Sequence, residues 1–196
     1  MKKIKNSLLV LFAFASMLSL NSCGYNGAVS KSAAIDASWA KVQSAYQRRA
    51  DLIPNLVETV KGQADFEKST LTAVIEARAK ASSMNVNAKD LSPEKLKEFQ
   101  ENQGQLSQAL GRFLQIVENY PDLKSNQAFM ELQAQLEGTE NRINTERNLF
   151  NEAVQDYNTH IKTFPNVLFS NMFGFKERAY FEADKGSEKA PKVTFK

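Results

Sequence analysis

The sequence predicts an all-α fold, an elongated antiparallel bundle of three to four long helices with the first helix kinked at Pro54. Three observations predict it. Apolar residues recur at spacings of three and four over most of the chain, which marks one face of a helix. No run of β-branched residues alternates with period two, so no sheet is expected. The prolines, at 54, 93, 121, 165 and 191, mostly punctuate the helical stripes.

The chain opens on Lys2, Lys3 and Lys5, followed by an apolar run from Leu8 to Leu20 broken only by Ser16 and Ser19. A basic head, a brief apolar stretch and a small residue before a cleavage point make an export signal. The run is shorter than the roughly 20 residues a bilayer core requires. Cys23 is the only cysteine and cannot form an internal disulfide. Leu20-Asn21-Ser22-Cys23 resembles a bacterial lipobox, in which the cysteine carries palmitate or a similar acyl chain and becomes the mature N-terminus. The competing reading is an ordinary signal with an incidental cysteine. The lipoprotein reading divides the chain into a signal peptide (1–22), a lipidated start with a short linker (23–29), a helical bundle (30–181) and a charged tail (182–196).

The net charge of +3 rests on the three leader lysines, so the mature chain is neutral. Phosphate binding needs a basic surplus, and nucleic acid is not an expected partner.

The first helical block is expected from about Ser30 to Ala81. Trp39, Val42, Tyr46, Ile53, Leu56, Val60, Ala64, Leu71, Val74 and Arg78 hold one stripe, which passes Pro54 in phase. Pro54 lacks a donor for the carbonyl of Ala50, four residues back, and predicts a kink. Ser82 to Lys89 is polar and reads as a loop. A second helix starts at Ser92, an N-cap candidate, with Pro93 at N1 and Glu94 in the first turn. Leu96, Phe99, Gln103, Leu106, Leu110, Phe113 and Val117 carry it to the stop at Tyr120-Pro121. The third starts near Ser125, and Phe129, Leu132, Leu136, Thr139, Ile143, Glu146, Phe150, Ala153, Tyr157 and Phe164 keep a coiled-coil heptad to Pro165. At about 1.5 Å per residue it approaches 60 Å, a length that suits a bundle. Phe164, Phe169, Phe173, Phe175, Tyr180 and Phe181 then crowd around Gly174. They either cap the bundle end or expose an apolar patch.

Arg48-Arg49-Ala50-Asp51-Leu52-Ile53-Pro54-Asn55-Leu56-Val57-Glu58-Thr59-Val60-Lys61-Gly62 resembles the hallmark segment of the LemA family of bacterial proteins. Ala73 to Arg78, Glu137 to Ile143, Arg147 to Val154 and the close from Phe164 to Phe181 match in the same order. The resemblance implies a helical bundle at a bacterial membrane with its body outside the cytoplasm. It implies no reaction. Many members keep an N-terminal transmembrane helix, whereas this chain has a shorter run and Cys23.

Chemistry-bearing patterns are sparse. His160 stands alone, no His/Cys spacing suggests zinc, and no glycine loop or nucleophile elbow is present. No catalytic residue, metal or cofactor is predicted. What is unusual is polar residues on or beside the stripes. Arg49, Arg78 and Glu146 suit a role in fixing helix register, as buried polar groups do in coiled coils. The alternative role is a partner-binding patch of Arg48, Arg49, Asp51 and Asn55 beside Pro54; Arg48 and Asn55 suit either role equally, and Arg49 and Asp51 suit architecture first and recognition second. Arg49 is expected to pair with Glu140 or Glu146, and Asp51 to accept from amides left unpaired at the proline. The resulting expectation is a non-enzymatic, lipid-anchored envelope protein that binds another envelope protein. Gly24 carries no acidic retention signal, which favours the outer membrane where the cell has one. The alternative is an envelope enzyme acting on wall polymer through carboxylates that only the fold brings together.

Overall fold

The computed structural model describes residues 2–62, 66–84 and 86–182, with the backbone alone for residues 2–23 and Lys89. The side chain of Cys23, with the lipidation expected there, Ala64 of the expected first stripe and the tail from residue 183 lie outside the described residues. All regular structure among the described residues is helical: α1 (Lys2–Lys61), α2 (Lys68–Ser83), a short 3-10 turn (Ala88–Asp90), α3 (Pro93–Val117), α4 (Pro121–Lys124), α5 (Gln127–Lys162) and α6 (Asn166–Ser170). Among them no helix is long and apolar enough to cross a membrane.

The four long helices run up, down, up and down. α1 lies antiparallel along α5, and α2 lies antiparallel along α3. Contacts along the first pair fix its direction. The carbonyl of Gly24 meets His160 Nε2 at 3.0 Å, and Arg49 meets Glu140 at 2.8 Å. α5, 36 residues long, spans about 54 Å.

Local chemistry accounts for the helix starts. The Ser92 hydroxyl accepts from the Lys95 amide at 3.2 Å, and Pro93 takes N1. Hydrogen bonding to its own backbone amide, then to Ser92, holds the Glu94 carboxyl below the usual range. Asn126 caps α5 by accepting from the Phe129 amide.

The single block expected over 30–81 is two helices. α1 carries Pro54 inside it and stops at Lys61 before Gly62, a poor helix former. Phe66 then turns inward, with its ring 5.5 Å from Phe113 and 5.1 Å from Tyr120. That anchor reverses the chain into α2. A stripe in phase on both sides of a turn cannot reveal the reversal.

The α3 stripe is buried as spaced, from Leu96 to Val117. The α5 stripe is followed through Tyr157, with Val154 buried more deeply than the expected Ala153 and Ile161 carrying the stripe to the helix end, while Phe164, beyond Lys162, is exposed. An α-helix drifts against a strict seven-residue repeat, which accounts for Val154 taking the place of Ala153.

The core falls into two apolar halves. One centres on Trp39, Phe99, Phe150, Tyr157 and Phe181. The other centres on Ile53, Leu56, Leu106, Phe113 and Phe129. Between Tyr46 and Ile53 on α1, and between Phe99 and Leu106 on α3, lie Arg49 and Gln103, both buried.

The aromatic close divides its roles. Phe181 is buried, stacked 6.0 Å from Trp39 and set edge-on to Phe150 at 5.4 Å. Phe164 and Phe173 are exposed, so the segment does not simply cap the bundle. Gly174 sits at φ +75°, where a side chain would be strained, and turns the chain back along α5. From there residues 175–182 run without helix against α5. Asn158 holds both backbone groups of Arg178, donating to its carbonyl and accepting from its amide, each at 2.9 Å. Asn151 does the same for Phe181, at 3.2 and 2.9 Å.

Candidate functional site

The hallmark segment runs from Arg48 to Gly62 of α1, and its most buried charge is Arg49, 2% exposed. Nη1 donates to Glu140 Oε2 at 2.8 Å and to Ser107 Oγ at 2.9 Å. Nη2 donates to the Gln103 side-chain oxygen at 2.7 Å and to the Gln103 carbonyl at 3.3 Å. The Tyr46 ring lies 5.1 Å from the guanidinium carbon, in cation–π range. Nε is buried without a protein acceptor. Gln103 extends the network by donating to the Ala81 carbonyl of α2 at 3.3 Å. One polar layer thus touches all four long helices. The Glu140 side chain is 47% exposed, so the countercharge sits at the rim while the guanidinium is inside.

Pro54 explains a second contact. In an uninterrupted helix the amide of residue 54 would donate to the Ala50 carbonyl, and proline has no N–H. Arg78 of α2 fills that place, its Nε donating to the Ala50 carbonyl at 2.7 Å. A gap in one helix's ladder is closed by a side chain from its neighbour.

Asp51 does not accept from backbone amides. It faces solvent and accepts from Gln47 Nε2 at 2.7 Å. The physical reason is that a mid-helix proline frees a carbonyl, which needs a donor, and a carboxylate cannot supply one. Asn55 is exposed, and its carbonyl accepts from the Thr59 hydroxyl.

Glu146 is not the partner of Arg49. It is buried on α5, and its Oε1 pairs with Arg142 Nη2 at 2.6 Å, one turn earlier on the same helix. Antiparallel packing sets Glu140, six residues away, level with Arg49. Glu146 Oε2 is buried without a protein donor. Beside it a surface groove of about 550 Å³ is lined by Lys41, Arg48, Thr139 and Arg142 among others. Arg48 is exposed there, beside the buried carboxylate and on a face of α1 separate from Arg49. A second groove, about 560 Å³, opens over Arg49 between α3 and α5, with Glu101, Glu140 and Glu182 on its walls. Among the described residues no group of three or more His, Cys, Asp or Glu is placed to hold a metal ion.

Two contributors, Ser107 and Asn158, were missed from the sequence. Ser107 looks like any small polar residue of an exposed helix face. Asn158 could have been found by its seven-residue spacing from Asn151, which places both on one side of α5.

Comparison with known proteins gives this geometry relatives. Magnetosome protein MamQ 2 of Paramagnetospirillum magneticum is 27% identical over 205 aligned positions, covering 96% of this chain and 74% of its own length. Magnetosome protein MamQ of Magnetospirillum gryphiswaldense matches with the same identity and coverage. Protein LemA of Metamycoplasma hominis is 24% identical over 144 positions, which cover 74% of this chain and 62% of that one. The LemA family profile matches residues 38–195, which takes in the whole Arg49 layer, the Pro54 contact and the asparagine clasp. The chain therefore belongs to the LemA family.

Proposed function

We propose that this LemA-family chain is a lipid-anchored envelope protein that acts by binding rather than by catalysis, with the bundle as a rigid scaffold for an envelope protein partner. The observation that carries this reading is the Arg49 layer. All four Nη hydrogen bonds of the most buried charge in the hallmark segment end on the chain itself. Arg49 holds helices in register, and Arg48, Asp51 and Asn55 are among the members of the segment that face outward. Arg48 and Asn55 offer a cation and an amide on a preformed surface, the kind of feature that fixes orientation at a protein interface.

Two measurements test this. Metabolic labelling with a fatty-acid probe should mark the wild-type protein and not Cys23→Ser. An unlabelled, soluble wild type would overturn the anchor. A photo-crosslinking amino acid placed at Arg48 or Asn55 should trap an envelope protein in intact cells, while the same probe at Glu98, exposed on α3, should not. Equal trapping at all three positions would remove the hallmark segment from the binding surface.

A further inference from the structure

One end of the bundle gathers large exposed apolar side chains. Phe164, Leu168, Met172 and Phe173, on α6 and its flanking turns, are 76, 61, 68 and 47% exposed. Tyr25 joins them from α1, with its ring 5.1 Å from that of Phe173 and edge-on to it. Scattered surface leucines need no explanation, but four such residues within ten positions, folded against one helix end, do.

Their location names the occupant. α6 packs against the start of the described side chains of α1. The Gly24 carbonyl lies 3.0 Å from His160 Nε2. Asn166 Oδ1 lies 2.6 Å from where a Cβ on Gly24 would stand, so residue 24 is flush with the first residue of α6. Immediately before it come Cys23 and the apolar run Leu8 to Leu20. Acyl chains on Cys23, or that run itself, would bring lipid within one residue of Gly24. We infer that the α6 end is a membrane-seating surface. Phe164, Leu168, Met172 and Phe173 enter the interfacial zone of the bilayer and hold the bundle end against it. This rests on the membrane-anchored reading above. A single acyl chain binds only marginally, and apolar side chains at the interface add a second attachment. Lys162, at the edge of the patch, is already paired with Glu177 at 2.7 Å, so the seat is mainly apolar.

The test uses the full chain extracted from its membrane and reconstituted into phosphatidylcholine vesicles with brominated acyl chains. Leu168→Trp and Phe173→Trp add a reporter at the seat, and Met130→Trp adds one at the far end of α5, also exposed. Trp39 is buried and gives the same background in all three. The replaced side chains are solvent-facing, and unchanged melting curves would show that each variant folds. Flotation of the protein with the vesicles reads the anchor separately. The expected result is flotation of all three, with loss and blue shift of the added emission for Leu168→Trp and Phe173→Trp and neither change for Met130→Trp. Flotation with all three reporters unquenched would overturn the seat and leave the anchor standing. Failure to float would overturn the anchor and the seat with it.

Discussion

Arg49 and its exposed neighbour Arg48 are chemically alike and should behave as opposites. Removing one member of a buried, hydrogen-bonded ion pair costs about 3–5 kcal/mol. Glu140 is half exposed and would rehydrate, so Arg49→Ala belongs at the lower end, about 3 kcal/mol. In a domain of this size that lowers Tm by about 6–12 °C. Arg48→Ala should stay within about 0.5 kcal/mol of wild type, as solvent-facing substitutions usually do. Thermal melts followed by circular dichroism at 222 nm check both, and equal melting of the two variants would contradict the layer. Arg49→Lys should also destabilise, because an ammonium cannot reach Glu140, Ser107 and Gln103 with a planar fork. The Pro54 contact gives a sharper test. Arg78→Ala leaves the Ala50 carbonyl without a donor and should cost about 1–3 kcal/mol. Pro54→Ala restores the amide that would fill that place, so Arg78→Ala should cost less in that background. A double-mutant cycle by urea titration should find coupling of about 1 kcal/mol, and strict additivity would refute the exchange of donors.

The closing segment shows how one element can be measured against another. Asn151 and Asn158 are seven residues apart on α5, about 10 Å along the axis. Arg178 and Phe181 are three residues apart in extended chain, also about 10 Å. The equal spans let two asparagines grip two residues, each by both backbone groups. Asn158→Ala should therefore release the Arg178 amide to fast hydrogen exchange and cost about 1–3 kcal/mol. If the amide keeps its protection, the grip is not what holds it. The neighbouring Tyr157 adds a pH dependence. Burial raises its pKa above the ordinary tyrosine value, and the Arg178 guanidinium offsets part of that. The fold thus favours the neutral phenol. Its contribution is present in full below about pH 10 and is lost as pH rises through the raised value. Urea midpoints taken through that window should fall more steeply for wild type than for Tyr157→Phe. Parallel slopes would mean that the phenol is not desolvated.

At the scale of the whole molecule, α class, the α3 stripe and its Ser92-Pro93 start were all legible, because each depends on residues close together in sequence. The reversal after Gly62 was not, since Phe66 finds Phe113 and Tyr120 only once α3 is in place. Arg49 could be seen on its stripe, and two acidic partners were open to it. Choosing Glu140 over Glu146 required the vertical register of α1 on α5, which no local pattern carries. The clasp was hidden for a related reason: its asparagines bind backbone, and backbone binding leaves no complementary residue type in the sequence. The unbroken rise of α1 has a further consequence. From Gly24 to Arg48 the helix climbs about 36 Å. With the helix upright on an anchored end, the hallmark segment stands that far above the lipid, beyond several screening lengths at physiological salt. A partner that meets Arg48 must project to the same height. In the proposed anchored arrangement, a neighbour of that height meets the segment and a shorter one stays below it. Adding two turns of helix to α1 below the bundle would raise that threshold by about 11 Å without altering a single contact residue.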